Sequence, residues 1–138
     1  MTNKEAAQIL AILKAAYPNF YKDMTAEEAQ GTVSVWSMQF ANTPAEILLM
    51  ALNKAISVNK FPPSIAEVKE KFSSIHWEAY EMINRHYNIK NLTDEEFAYY
   101  KRIYDITQPY KHTKKLEPTI KQMLPSNIKQ LQGRSDSQ

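Results

Sequence analysis

Apolar residues recur along most of the chain at alternating spacings of three and four, which sets them on one side of an α-helix. The first such stretch covers residues 3–16, with Ile9, Leu10, Ile12 and Leu13 apolar and Pro18 as its stop. After Thr25, the residues Ala26, Ala29, Val33, Trp36 and Phe40 form a second stripe. Gly31 inside it costs about 1 kcal/mol relative to alanine, and a close approach by a neighbouring helix is the expected reason for it. In the third stretch Thr43 is placed as cap and Pro44 at the first helical position. Its Ile47, Leu48, Met50, Ala51, Leu52, Ala55 and Ile56 are apolar over most of the helix girth, which predicts the most buried helix of the protein. Phe61-Pro62-Pro63 then forces an extended link.

A fourth stripe, Ile65, Val68, Phe72, Ile75, Ala79, Met82 and His86, holds its phase throughout and predicts one long helix over residues 65–86, with Ser73-Ser74 as the place for a kink. A fifth helix is expected from Thr93 to about residue 106, with Leu92 and Phe97 stapling its start. Residues 108–115, which contain Pro109, read as linker. Beyond them Ile120, Met123, Leu124, Ile128 and Leu131 suggest one or two short amphipathic turns broken at Pro125, and residues 132–138 read as disordered.

Helix starts carry a second signal. Ser/Thr-x-x-Glu occurs at Thr2–Glu5, Thr25–Glu28, Thr43–Glu46, Ser64–Glu67 and Thr93–Glu96, each time ahead of an apolar repeat. In such a box the hydroxyl accepts from a free backbone N–H of the first turn, and the glutamate accepts from the N–H of the cap. The fold class is therefore all-α: a compact bundle of four to six helices with a partly disordered C-terminal tail. The expected organisation is a helical N-terminal domain over 1–72, a helical extension over 73–106 and a tail over 107–138.

Composition narrows the chemistry. The chain has 138 residues, no cysteine and two glycines, Gly31 and Gly133. Disulfides, thiol nucleophiles and thiolate metal sites are excluded, as are the glycine-rich turns that cradle nucleotide phosphates. The longest apolar run, residues 47–52, is far too short to span a bilayer, and a soluble cytoplasmic protein of the host cell is expected. The formal net charge of +2 is too small to imply DNA binding by bulk charge. Charge is nevertheless uneven. Residues 1–72 hold seven lysines and seven acidic residues, whereas the tail holds Lys111, Lys114, Lys115, Lys121, Lys129 and Arg134 against only Glu117 and Asp136.

No catalytic, metal-binding or cofactor-binding constellation emerges. His76 and His86 are ten residues apart and lack a metal-ligand spacing, so surface or half-buried helix positions are expected for them. The acidic clusters Glu27-Glu28 and Asp94-Glu95-Glu96 sit in first helical turns, where negative charge complements the helix dipole. Tyr99, Lys101 and Arg102 interleave aromatic and cationic groups, and with Lys111, Lys114 and Lys115 they are the candidate nucleic-acid contacts. The same helix also reads as one in which Phe97, Tyr100 and Tyr104 pack inward while the cations stay solvated. The tail residues Ile120, Met123, Leu124, Ile128 and Leu131 are the candidate partner-binding residues, suited to a helix that docks in a groove.

A family resemblance follows from the order of these marks. A leading amphipathic helix ends in Ala16-Tyr17-Pro18-Asn19-Phe20, Met24-Thr25 opens a helix with a central Trp36, and a third apolar helix leads to Lys60-Phe61-Pro62-Pro63-Ser64-Ile65-Ala66-Glu67. Over about residues 1–72 this resembles the N-terminal domain of bacteriophage replicative-helicase loader and inhibitor proteins. The resemblance implies a small, non-enzymatic adaptor with a helical N-terminal domain and a flexible C-terminal part. Such proteins bind a hexameric replicative helicase, hold it inactive and help deliver it to an origin marked by an initiator protein. In the family the C-terminal portion engages the helicase, a role that falls here on the tail after Gln108. The long, well-capped section 73–106 departs from the family pattern. The alternatives are a small DNA-binding replication accessory protein, or a phage inhibitor of another host complex. Self-association is left open.

Overall fold

The computed structural model describes residues 1–112, so the tail residues Lys114, Lys115, Ile120, Met123, Leu124, Ile128 and Leu131 lie outside the described residues. Among the described residues there are six α-helices and no strand: α1 Asn3–Ala16, α2 Pro18–Tyr21, α3 Ala26–Gln39, α4 Ala45–Val58, α5 Ile65–Ile89 and α6 Asp94–Ile106, followed by a 3₁₀ turn at Gln108–Tyr110. The all-α class read from the sequence is what the structure shows. No helix among the described residues is long and apolar enough to cross a membrane.

The caps explain where most helices begin. Thr2, Thr25 and Thr93 each form a reciprocal capping box with the glutamate three residues on. Ser64 does the same, its hydroxyl accepting from the Glu67 N–H at 3.1 Å while its own N–H donates to the Glu67 carboxylate at 2.8 Å. The expected cap at Thr43 is displaced by one residue. Pro44, with ψ at 136°, is still extended and occupies the cap position of α4, so the helix opens at Ala45. Thr43 is buried, and its N–H donates to the Phe40 carbonyl at 3.0 Å, closing the turn that follows α3.

Two features depart further from expectation. Pro18 does not merely stop α1. Tyr17 leaves the helical region at ψ 62°, and Pro18 starts the one-turn helix α2, where its missing N–H costs nothing. The stretch expected to be linker starts as ordered structure. Thr107 is fully buried, the 3₁₀ turn follows it, and the Trp77 indole donates to the Lys111 carbonyl at 2.9 Å. Helix α5 is one uninterrupted element through Ser73-Ser74 and extends three residues past His86, to Ile89. It ends at Lys90, whose φ of 51° is the left-handed conformation that closes many helices.

The chain divides into two compact units, one ending at Ile75 and one starting at His76. The core of the first unit is built around α4, of which Ile47, Ala51, Leu52 and Ala55 have no exposed surface. Helix α1 contributes Ala6, Ile9, Leu10 and Leu13 and packs on α3 and α4. An aromatic series closes the other side: Trp36 meets Phe40 at 5.5 Å, and Phe40 meets Phe72 edge-on at 6.0 Å. Tyr17 links the ends of α1 and α4, its hydroxyl donating to the Asn59 carbonyl at 2.9 Å. In the second unit, Ala79 and Ile83 of α5 and Ile103 of α6 are buried.

Deleting the buried Leu52 side chain leaves a cavity that the rigid core cannot fill. Leu52→Ala is expected to destabilise the protein by about 2–5 kcal/mol, whereas Thr2→Ala, which removes only a cap, costs about 1 kcal/mol. Urea unfolding of the two variants checks the ranking.

Candidate functional site

In the second unit, three of the candidate nucleic-acid residues, Tyr99, Lys101 and Arg102, sit on the outward side of α6. Ile103 is buried, while Phe97, Tyr100 and Tyr104 are half-buried on the inner side. Tyr99, Lys101 and Arg102 are exposed. The guanidinium of Arg102 lies over the Tyr99 ring, 5.9 Å from its centroid, so those two form one cation–aromatic unit. Lys101 turns instead to Asp105, 3.4 Å away, one turn along the helix. That carboxylate offsets its charge, so Lys101 is a poorer phosphate ligand than the sequence alone implies. Lys111 is half-buried and is tied to α5 through its carbonyl, which accepts from the Trp77 indole.

His76 overturns its expected surface or half-buried position. Its ring has no exposed area and lies between aromatic neighbours, stacked on Tyr104 at 4.6 Å and edge-on to Trp77 at 4.8 Å. Nδ1 is 2.9 Å from the Thr107 hydroxyl. That hydroxyl donates its one hydrogen to the Ile103 carbonyl at 2.6 Å, so it accepts from His76, and Nδ1 carries the proton. Nε2 is left as a buried acceptor without a partner. Burial pushes the His76 pKa down from 6.5, and the nearby Lys111 and His112 charges push the same way against the backbone contact with Tyr104. The sequence offered one signal for this arrangement, since His76 is on α5 directly after Ile75 of the apolar stripe. His86 is half-buried and has a structural task, accepting the Leu92 N–H on Nδ1 at 3.0 Å to fix the loop between α5 and α6.

In the first unit the sequence reading missed an open groove of about 830 Å³ beside α2 and α3. Phe20, Tyr21, Asp23, Met24, Glu28, Gly31 and Val35 line it, together with Trp36. Burial raises the Tyr21 hydroxyl above 10, and Tyr17 nearby adds to the shift. The expected reason for Gly31 is not met here. A Cβ at Gly31 would touch no atom within 4 Å, so no neighbouring helix requires the glycine. Among the described residues, no group of His, Asp and Glu is arranged to hold a metal ion.

The family model of the N-terminal domain of the phage helicase loader and inhibitor gp39P matches residues 1–69. The chain belongs to the gp39P family of phage helicase loader and inhibitor proteins. The match runs from α1 through α4 into the first turn of α5, and so covers the elements that form most of the first unit. Membership of the gp39P family makes this a phage helicase-associated protein. No curated protein and no solved structure gives a significant match to the chain. The section expected to depart from the family pattern, 73–106, and the tail both lie beyond the matched residues.

The His76 environment makes stability depend on pH with a defined sign. The unfolded chain protonates this histidine near pH 6.5, while the folded chain does so only at lower pH. Folding is therefore unaffected above about pH 6.5 and weakens as pH falls from there toward the folded pKa. Protection factors of α6 amides, which correct for the intrinsic slowing of exchange in acid, are expected to fall over that interval in the wild type, with a shallower slope in His76→Phe. Equal slopes would remove His76 from the effect.

Proposed function

We propose that this protein is a non-enzymatic replication adaptor that binds a hexameric replicative helicase, restrains it and assists its loading at an origin. The observation that carries the reading is the match to the gp39P N-terminal domain over residues 1–69. The division of the chain supports it: a charge-balanced helical body precedes a tail rich in Lys and in the apolar residues Ile120, Met123, Leu124, Ile128 and Leu131. A helix of that composition can lay its apolar side in a groove of a partner. Restraint of the helicase then requires no chemistry in this chain, only tighter binding to one state of the helicase than to another. A body that holds a second partner, such as an origin-bound initiator, would raise the effective concentration of the tail at the helicase. The adaptor works without a cofactor and without ATP hydrolysis of its own.

A second reading rests on the cation–aromatic pair Tyr99 and Arg102, both exposed on α6. Such a pair can stack a base and contact a phosphate of single-stranded DNA. In that reading Lys101, Lys111, Lys114 and Lys115 extend the path, and the protein is a DNA-binding accessory factor.

Truncation tests the first reading, and the structure fixes where to cut. Because Trp77 holds the Lys111 carbonyl, the shortened chain should keep residues 1–112. Full-length protein is expected to bind a purified hexameric helicase and slow its strand separation, with no ATPase of its own, while the 1–112 chain melts at the same temperature and loses binding at least about tenfold. Undiminished binding by the 1–112 chain would remove the tail from the mechanism. Single-stranded DNA in the same titration separates the two readings: binding that falls steeply with salt and is lost in Arg102→Glu favours the accessory factor.

A further inference from the structure

Helix α3 is apolar on two sides. Trp36 is buried in the core and Ala29 and Val33 are half-buried, whereas Gly31, Val35 and Met38 follow one another at spacings of four and three on the side exposed to solvent. Val35 is 45% exposed and Met38 72% exposed, so much of this second stripe faces solvent. It adjoins the groove beside α2, whose rim carries Phe20, 57% exposed and edge-on to the exposed Phe61 at 5.4 Å. Gly31 lies where the two meet. A glycine in mid-helix costs stability, and here no atom of the fold needs the space it leaves. The space is open to something from outside.

The charge of the groove says what that is. Asp23 and Glu28 line it, Glu27 follows in the same first turn of α3, and no Lys, Arg or His is among the lining residues. A nucleic acid would meet carboxylates where it needs cations. The open side and the stripe running along α3 suit an elongated apolar surface better than an enclosed small molecule. We propose that this groove docks a basic amphipathic helix of a partner protein, its apolar side lying over Gly31 and Val35 and against Phe20, and its cations facing Asp23 and Glu28. This contact is separate from the one assigned to the tail, and it stands whether or not the tail binds the helicase.

Two synthetic amphipathic helical peptides test it, sharing one leucine stripe and carrying either lysine or glutamate on the polar side. Each is titrated into the full chain and followed by backbone amide resonances. The lysine peptide is expected to shift the amides of Phe20, Met24, Gly31 and Val35, and the glutamate peptide to leave them unmoved. Gly31→Trp, which fills the groove, should abolish the shifts, as should Asp23→Lys by charge reversal. Gly31→Ala is the control for folding and should melt no lower than the wild type; Val35→Glu replaces Gly31→Trp if that variant fails to fold. The proposal is overturned if neither peptide shifts these residues, if both shift them equally, if the shifts centre elsewhere, or if a folded groove-filling variant binds as before.

Discussion

Burial of α4 is the constraint on which the first unit depends. Ile47, Ala51, Leu52 and Ala55 are shut off from solvent along one broad side of this helix, so it needs neighbours all along that side. Its alanines leave room for a close neighbour, and α1, which packs on both α4 and α3, supplies an apolar stripe of matching period. The aromatic series from Trp36 through Phe40 to Phe72 then fixes how α3 and the start of α5 close on the same core. Tyr17 and the Phe61-Pro62-Pro63 link follow from this arrangement, since each turns the chain at an end of the bundle. Both lie within the residues matched to the family, and they are marks of architecture rather than chemistry.

The helices were legible in the sequence because their signals are local. A capping box needs only four residues, and four of the five boxes are seated where the pattern put them. Thr43 failed because its backbone was needed by the turn from Phe40, a demand the Ser/Thr-x-x-Glu pattern does not contain. The ordered start of the expected linker was hidden for a similar reason. It depends on pairs far apart in the chain, Trp77 with Lys111 and His76 with Thr107.

The candidate sites were less legible. Spacing found Tyr99 and Arg102 together, and it also set Asp105 one turn from Lys101, a pairing that a reading of the cations alone passed over. Gly31 stood out in the sequence for its cost, and the sequence suggested crowding, whereas the structure shows open space and acidic neighbours. A glycine read from sequence does not say whether a neighbour crowds it, and only coordinates tell. His76 was misjudged because histidine on a helix is usually wet; here its ring fills the gap between Tyr104 and Trp77.

In the proposed function the two ends of the chain have different tasks. The body supplies a fixed shape, and the tail supplies the cationic, apolar segment proposed to engage the helicase. Hydrogen–deuterium exchange of the full chain, alone and saturated with a hexameric replicative helicase, tests that division most directly. Protection gained on binding is expected to concentrate across residues 118–131. Protection gained only within residues 1–75, with the tail exchanging as fast as before, would contradict it.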